Sequence, residues 1–306
     1  MSEPGAPPTY RSGTESVPAS GAASTPQERA AALEFLQKLA SEVSAGSIDL
    51  PCFPEVVVRI STALADPKTT SDRVVTIVGA EPRLAARILQ TANSAAFNTS
   101  GKPLTDLRSA VTRLGHQMVH GTAMSYAMHQ MKNEASLRSI VQPMTLLWSK
   151  SIAVASICRI VARRTKVNAD EAFLTGLLHG IGSLYIMARA ATRATGLGSS
   201  WLDLLSGWQA AIGKAVLESW GFAEEMCDAV GEQADHERRW KHEAALSDVL
   251  IASLVLADAL KTPEPHVVAT GGINAFQTVG VKAEDGPAIL TEAEKQIRLV
   301  HDALAI

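Results

Sequence analysis

The stretch SDRVVTIVGAEPRLAARILQTAN, residues 71–93, decides the fold class. Its VVTIV run, Val74 to Val78, is β-branched enough for a strand. A half-buried strand, however, calls for strict alternation between turn signals, and neither flank supplies it. The apolar residues continue instead at helical spacing, through Leu84, Ile88 and Leu89 beyond a proline at position 82. The other β-branched run, Val56 to Val58, shares a helical period with Ile60 and Leu64. With both strand-like runs absorbed into helical periods, the reading is all-α.

Working outward, nearly every later segment repeats this pattern. Thr25-Pro26-Gln27-Glu28 offers a capping threonine, a proline at the first helical position and a glutamate to close a capping box. Leu33, Leu36, Leu39 and Val43 follow at helical spacing. Leu104 to Leu114 reads as a helix capped by Thr105 and stopped by Gly115. Longer runs lie near 138–164, 169–188, 203–219, 222–233, 244–261 and 287–304. Residues 1–25 are rich in Pro, Gly, Ser, Ala and Thr and carry few large apolar side chains. Burial there cannot offset the ordering entropy, so a disordered tail is expected. Joints are expected near Asn133 to Pro143 and in TPEPHVVATGG, 262–272, with its two prolines and two glycines.

Composition narrows the function. The 306 residues suffice for a large core, and 46% are hydrophobic while 19% are charged, below the usual ~25%. A net charge of −3 gives no general electrostatic footprint for nucleic acid. The three cysteines, Cys52, Cys158 and Cys227, are far apart and form neither a disulfide framework nor a zinc motif. The start, MSEPGAPPTY, lacks the basic and apolar regions of a signal peptide. No uninterrupted apolar run approaches the ~18 residues of a membrane span, so a cytoplasmic protein is expected.

The ordered series LPCFPEVVVRI, ADPKTTSDRVVTIVGAEPRLAARILQTANSAAF, PLTDLRSAVTRLG, LWSKSIAVASI, AFLTGLLHGIG, AVLESWGF and LVLADAL resembles the HDOD domain family. The resemblance implies an N-terminal helix at 26–45 and an HDOD domain at 46–262. Within the domain it implies an N-terminal helical lobe at 46–135 and a degenerate HD-like lobe at 140–262. A loop and helix complete the chain at 263–306. One departure is Glu81 before Pro82, where the family pattern has aspartate, a better N-cap.

Catalytic relatives of this fold are metal phosphohydrolases with a histidine–aspartate dyad. Carried over position by position, the resemblance puts Lys150 where a first metal-binding histidine would stand. His179 and Gly180 take the place of the dyad. Gln209 and Gln233 fall at further histidine positions, and Asp258 is the surviving late aspartate. A metal hydrolase needs several converging imidazole and carboxylate ligands with one position open to water. Glycine offers no donor, and an ammonium repels cations. The resemblance therefore implies a vestigial site, with no cofactor, no metal and no catalysis, in a protein of bacterial signalling. A contact between Lys150 and Asp258 beside His179 is expected to replace the cation.

Other residues invite a role. Asn93 and Ser94 end a helix and suit either capping or recognition. Arg238, Arg239 and Lys241 surround Trp240 in HERRWKH, a cluster able to hold a phosphate or a stacked base. His116 and His120 stand at a spacing that fits two metal ligands, but without a neighbouring third. RVVTIVGAEPRLAARIL mimics a helix-turn-helix, yet its second helix offers mainly Arg83 and Arg87 for base readout. The expected function is that of a non-catalytic regulator acting on other signalling proteins in trans. Cyclic di-GMP networks are among its outputs, and a cyclic dinucleotide or phosphate is a candidate ligand. No membrane partner is expected and nucleic acid is disfavoured. The rivals are a residual nucleotide phosphohydrolase and a DNA-binding regulator.

Overall fold

The VVTIV run is helical. Ser71–Gly79 forms an α-helix that buries Val74, Ile77 and Val78, and its N-cap Thr70 accepts a hydrogen bond from the Arg73 amide. The computed structural model describes residues 26–44, 48, 50–66, 68–94, 97–98, 101–192, 206–239, 243–261 and 271–304. The expected tail at 1–25, most of the loop at 262–272, Trp240 and Lys241 lie outside the described residues.

Among the described residues there are thirteen α-helices and no strand. The first five are α1 (Pro26–Ser44), α2 (Glu55–Ala65), α3 (Ser71–Gly79), α4 (Pro82–Ala92) and α5 (Leu107–Asn133). A 3-10 turn at Ala135–Ile140 leads into α6 (Val141–Ala162), α7 (Ala169–Leu178) and α8 (Ile181–Thr192). Then come α9 (Gln209–Ser219), α10 (Glu224–Gly231), α11 (Leu246–Ala259), α12 (Asn274–Thr278) and α13 (Gly286–Leu304). Helices α2 to α4 pack on one another and on α5, while α6, α7 and α11 form the centre of a second group. One continuous apolar core runs through both groups.

Several expectations need correction. The cap of α5 is Asp106, whose carboxylate accepts from the Ser109 amide at 2.7 Å, and not Thr105. Gly115 interrupts the helix but does not stop it. Its backbone (φ 69°, ψ 166°) lies where only glycine is comfortable, and the helix resumes as far as Asn133. That second half shows no helical stripe because every residue from Met118 to Met128 is buried, so no face needed to be polar. The run at 169–188 is split at His179 and Gly180 into α7 and α8. In α1, Phe35 and Leu39 face the core whereas Leu33 points to solvent. As expected, Glu81 makes no side-chain cap for α4.

Two stretches, Ala135–Ala162 and Ala169–Thr192, are long and apolar enough by average composition to cross a membrane, contrary to the reading from uninterrupted runs. Isolated charges such as Arg159 break a run without lowering the average much. Of their most apolar windows, 61% and 83% lie buried inside the protein, as in core helices.

The close approach of α8 and α9 depends on Gly182. A Cβ at that position would stand 2.6 Å from the Gly213 amide nitrogen and collide with the Gln209 carbonyl, both backbone atoms that cannot swing aside. Helix α1 is fastened to α8 by Arg189 and Glu42 at 2.5 Å, with the Tyr185 hydroxyl donating to the same carboxylate at 3.3 Å.

Candidate functional site

Asn168 starts α7 by accepting hydrogen bonds from the amides of Asp170 and Glu171 at 2.9 and 3.4 Å. The helix ends at Leu178 with His179 as its C-cap. The His179 ring is buried, at 6% exposure, and lies 2.8 Å from the Gly176 carbonyl through Nδ1. A carbonyl can only accept, so Nδ1 carries the proton. Burial pushes His179 down to about 4, against the opposing pull of the Gly176 carbonyl, and the nearby Lys150 charge adds to the depression. The imidazole is therefore neutral at physiological pH.

The break after His179 takes its carbonyl out of the regular helical ladder. The Gln233 amide supplies a donor, reaching the His179 carbonyl at 3.2 Å and the Val230 carbonyl at 2.8 Å. Gln209 turns its side-chain carbonyl to the Ser183 hydroxyl at 2.7 Å. Lys150 Nζ lies 3.5 Å from Asp258 Oδ1, the contact expected from the sequence. Asp258 has a second ammonium, since Lys261 donates to the same oxygen at 2.7 Å. Partial burial works to raise the Asp258 carboxyl, but the Lys261 hydrogen bond and both lysine charges outweigh it and hold it below its ordinary value.

These residues do not fit a catalytic metal. Lys150 brings positive charge to the place that the family resemblance gives a ligand, Gly180 brings no donor, and the amides of Gln209 and Gln233 are spent on Ser183 and on backbone carbonyls. Among the described residues, no three His, Cys, Asp or Glu side chains converge. The space beside Gly180 is a remnant of about 20 Å³, walled by Leu147, Trp148, Leu177 and Leu178. A Cβ on Gly180 would meet Leu147 Cδ1 at 2.7 Å, a flexible side chain that can turn away.

The other candidates are dispersed. Asn93 clamps the segment before α5: its amide donates to the Leu104 carbonyl at 2.8 Å and its oxygen accepts from the Leu104 amide at 2.7 Å. The Ser94 hydroxyl donates to the Thr91 carbonyl at 2.8 Å. Arg238 is largely buried between Glu232 and Asp248, with Nε 3.2 Å from the Asp248 carboxylate, so its charge is already matched inside the fold. Arg239 is exposed.

His120 and His116 have different surroundings. His120 is fully buried, edge-on to Phe222, with Nε2 2.6 Å from the Ser61 hydroxyl. Ser61 donates its own proton to the Val57 carbonyl, so His120 must donate through Nε2. Nδ1 is left buried without a partner, and burial pushes the ring down to about 4. His116 instead lines a cleft of about 620 Å³ between the two helical groups. Arg113, Gly115, Arg159 and Leu174 share its walls. Sequence reading missed this cleft because its residues come from five separate segments. The one signal was Gly115, taken there as a helix end.

Comparison with known proteins identifies the family and the fold. The sequence model of one family, described as the HDOD domain, matches residues 50–236. A candidate metal-dependent phosphohydrolase from Shewanella amazonensis SB2B is similar in structure, with a TM-score of 0.64 at 25% identity, covering 92% of this chain and 100% of its own. An HDOD domain protein of unknown function from Geobacter sulfurreducens gives a TM-score of 0.57 at 23% identity, covering 89% and 98%. A candidate signal transduction protein from Marinobacter aquaeolei VT8 gives 0.59 at 20% identity, covering 90% and 66%. No curated protein matches the chain.

Proposed function

This chain belongs to the HDOD domain family, and we propose that it serves as a non-catalytic regulatory module of bacterial signalling. It acts in the cytoplasm on other signalling proteins in trans, through the surfaces of its two helical groups. The observation that carries this reading is the ion pair between Lys150 and Asp258, at the position where a hydrolase of this fold would hold its metal. An ammonium supplies positive charge to the aspartate, yet it can neither polarise a phosphoryl oxygen as a Lewis acid nor lower the pKa of a bound water. Outputs through cyclic di-GMP networks, motility or stress responses belong to the same proposal. So does the expectation that nucleic acid and membranes are not its partners.

The specific rival is a residual metal-dependent phosphohydrolase, favoured by the description of the Shewanella relative. Capture of partners from the native cell by the tagged full chain, together with a hydrolysis assay on cyclic di-GMP and p-nitrophenyl phosphate with manganese added, tests both. The regulatory reading expects specific signalling proteins and no turnover. Metal-dependent turnover abolished by His179→Gln would replace it with the rival.

A further inference from the structure

The cleft between the two helical groups lies outside the degenerate HD-like site, and none of the vestigial positions lines it. Its volume of about 620 Å³ falls in the range of small-molecule sites, roughly 300–1,000 Å³. Its walls differ chemically from one side to the other. Two guanidiniums approach from opposite helical groups, Arg113 from α5 and Arg159 from α6. Arg113 spends one N–H on the Ala92 carbonyl at 3.3 Å. Arg159 reaches Asp170 only at 3.7 Å, and its Nε is buried without a hydrogen-bond partner.

The charges also differ in exposure. The Arg159 side chain is 35% exposed, whereas that of Asp170 is 59% exposed and Glu171 is exposed as well. The Arg159 guanidinium is thus more shielded from solvent than either carboxylate. Phe97, Leu64 and Leu174 add apolar lining. At the kink of α5, Gly115 has no atom within 4 Å of the place a Cβ would occupy. The backbone there stands open to the cleft.

We propose that this cleft binds a purine nucleotide, with its phosphate inward on Arg113 and Arg159, its base against Phe97 and Leu174, and its amino or hydroxyl donors toward Asp170 and Glu171. Guanidiniums match a phosphate with paired N–H donors, and the apolar walls match the faces of a base. The acidic rim disfavours a chain of phosphates extending outward, so one phosphate or phosphodiester fits better than a triphosphate. Because the walls belong to both helical groups, such a ligand would tie them together and give the proposed regulator an input separate from its partner-binding surfaces.

Titration calorimetry on the full chain with AMP, GMP, cyclic GMP and cyclic di-GMP tests this, with guanosine, adenosine and inorganic phosphate as controls. At least one nucleotide should bind with Kd below about 1 mM. Its nucleoside, and phosphate alone, should bind at least about 10-fold more weakly, as expected when charge-assisted hydrogen bonds and base contacts act together. Arg113→Gln and Arg159→Gln should each weaken binding about 10-fold or more. Should either variant unfold, Leu174→Trp, which fills the cleft and leaves both arginines in place, should abolish binding in a chain whose circular dichroism shows it still folded. The proposal is overturned if no nucleotide binds the wild-type chain at that concentration. It is overturned equally if binding survives Leu174→Trp, or if phosphate alone binds as tightly as the nucleotides. A failure here leaves partner capture and the absence of turnover unaffected, so the two readings fall separately.

Discussion

Two openings of this protein contrast in size and in lining. Beside Gly180, about 20 Å³ is open between apolar side chains. Between the helical groups, about 620 Å³ is open, with two arginines on its walls. The first is closed by ordinary core packing: Trp148, Leu177 and Leu178 are buried, and the carbonyl freed by the helix break is taken by Gln233. The second persists because Gly115 bends α5 and because charged side chains there cannot be buried unpaired. The difference teaches that a helix break can be packed almost without space, whereas a kinked helix lined by charged side chains keeps a cleft open.

The sharpest way to break this comparison is to cut into each region in turn. Leu178→Ala, at 1% exposure beside the closed site, should cost about 2–5 kcal/mol through lost burial and a residual cavity. Leu174→Trp, at a partly buried position on the cleft wall, should cost less, no more than about 1–2 kcal/mol, because the open cleft takes up most of the added volume. Urea denaturation of the two variants checks this. Equal costs would mean that the cleft is as tightly packed as the surroundings of Gly180.

Protonation separates buried from open ground in the same way. His120 and His179 are both pushed down to about 4 by burial, against an ordinary value near 6.5. In the unfolded chain they take up protons first as pH falls. Stability is therefore fully present above about pH 6.5 and is lost on acidification through the window down to pH 4, by up to about 3 kcal/mol per histidine. His120→Gln keeps a donor for Ser61 and removes the titration. Its stability should fall less steeply between pH 6.5 and 4 than that of the wild type, and identical slopes would show that His120 is not buried neutral.

Much of the fold was legible because helical periods are local. The helices at 55–65, 71–79 and 82–92 follow from apolar spacing, with Pro82 at the first position of the last. The second half of α5 was not legible, because Met118 to Met128 is enclosed on all sides and carries no stripe. The ion pair between Lys150 and Asp258 followed from the positions that the family resemblance gives the two residues. That Lys261 would share this aspartate did not follow, although it lies three residues on. The interlobe cleft was invisible, since Phe97, Arg113, Arg159 and Leu174 come together only through tertiary packing.

Smaller effects refine the picture of the closed site. Gly182→Ala should cost about 1–3 kcal/mol by overpacking, because its Cβ meets backbone of α9. A change near zero in thermal denaturation would mean that α8 and α9 slide apart freely. Lys150→Ala should cost no more than about 1 kcal/mol. Its side chain is 36% exposed and that of Asp258 is 56% exposed, and Lys261 remains to neutralise the carboxylate. A loss of several kcal/mol would mean that the pair is far better shielded from solvent than these exposures indicate.

Metal content tests the central claim most directly. The full chain, purified after growth with added iron and manganese and then exposed to each metal, is measured by elemental analysis beside His179→Gln and Gly180→Asp. All three proteins should hold well below one equivalent of transition metal per chain, since restoring one carboxylate still leaves Lys150 in the place of a ligand. About one equivalent retained by the wild-type chain and lost in His179→Gln would contradict the account.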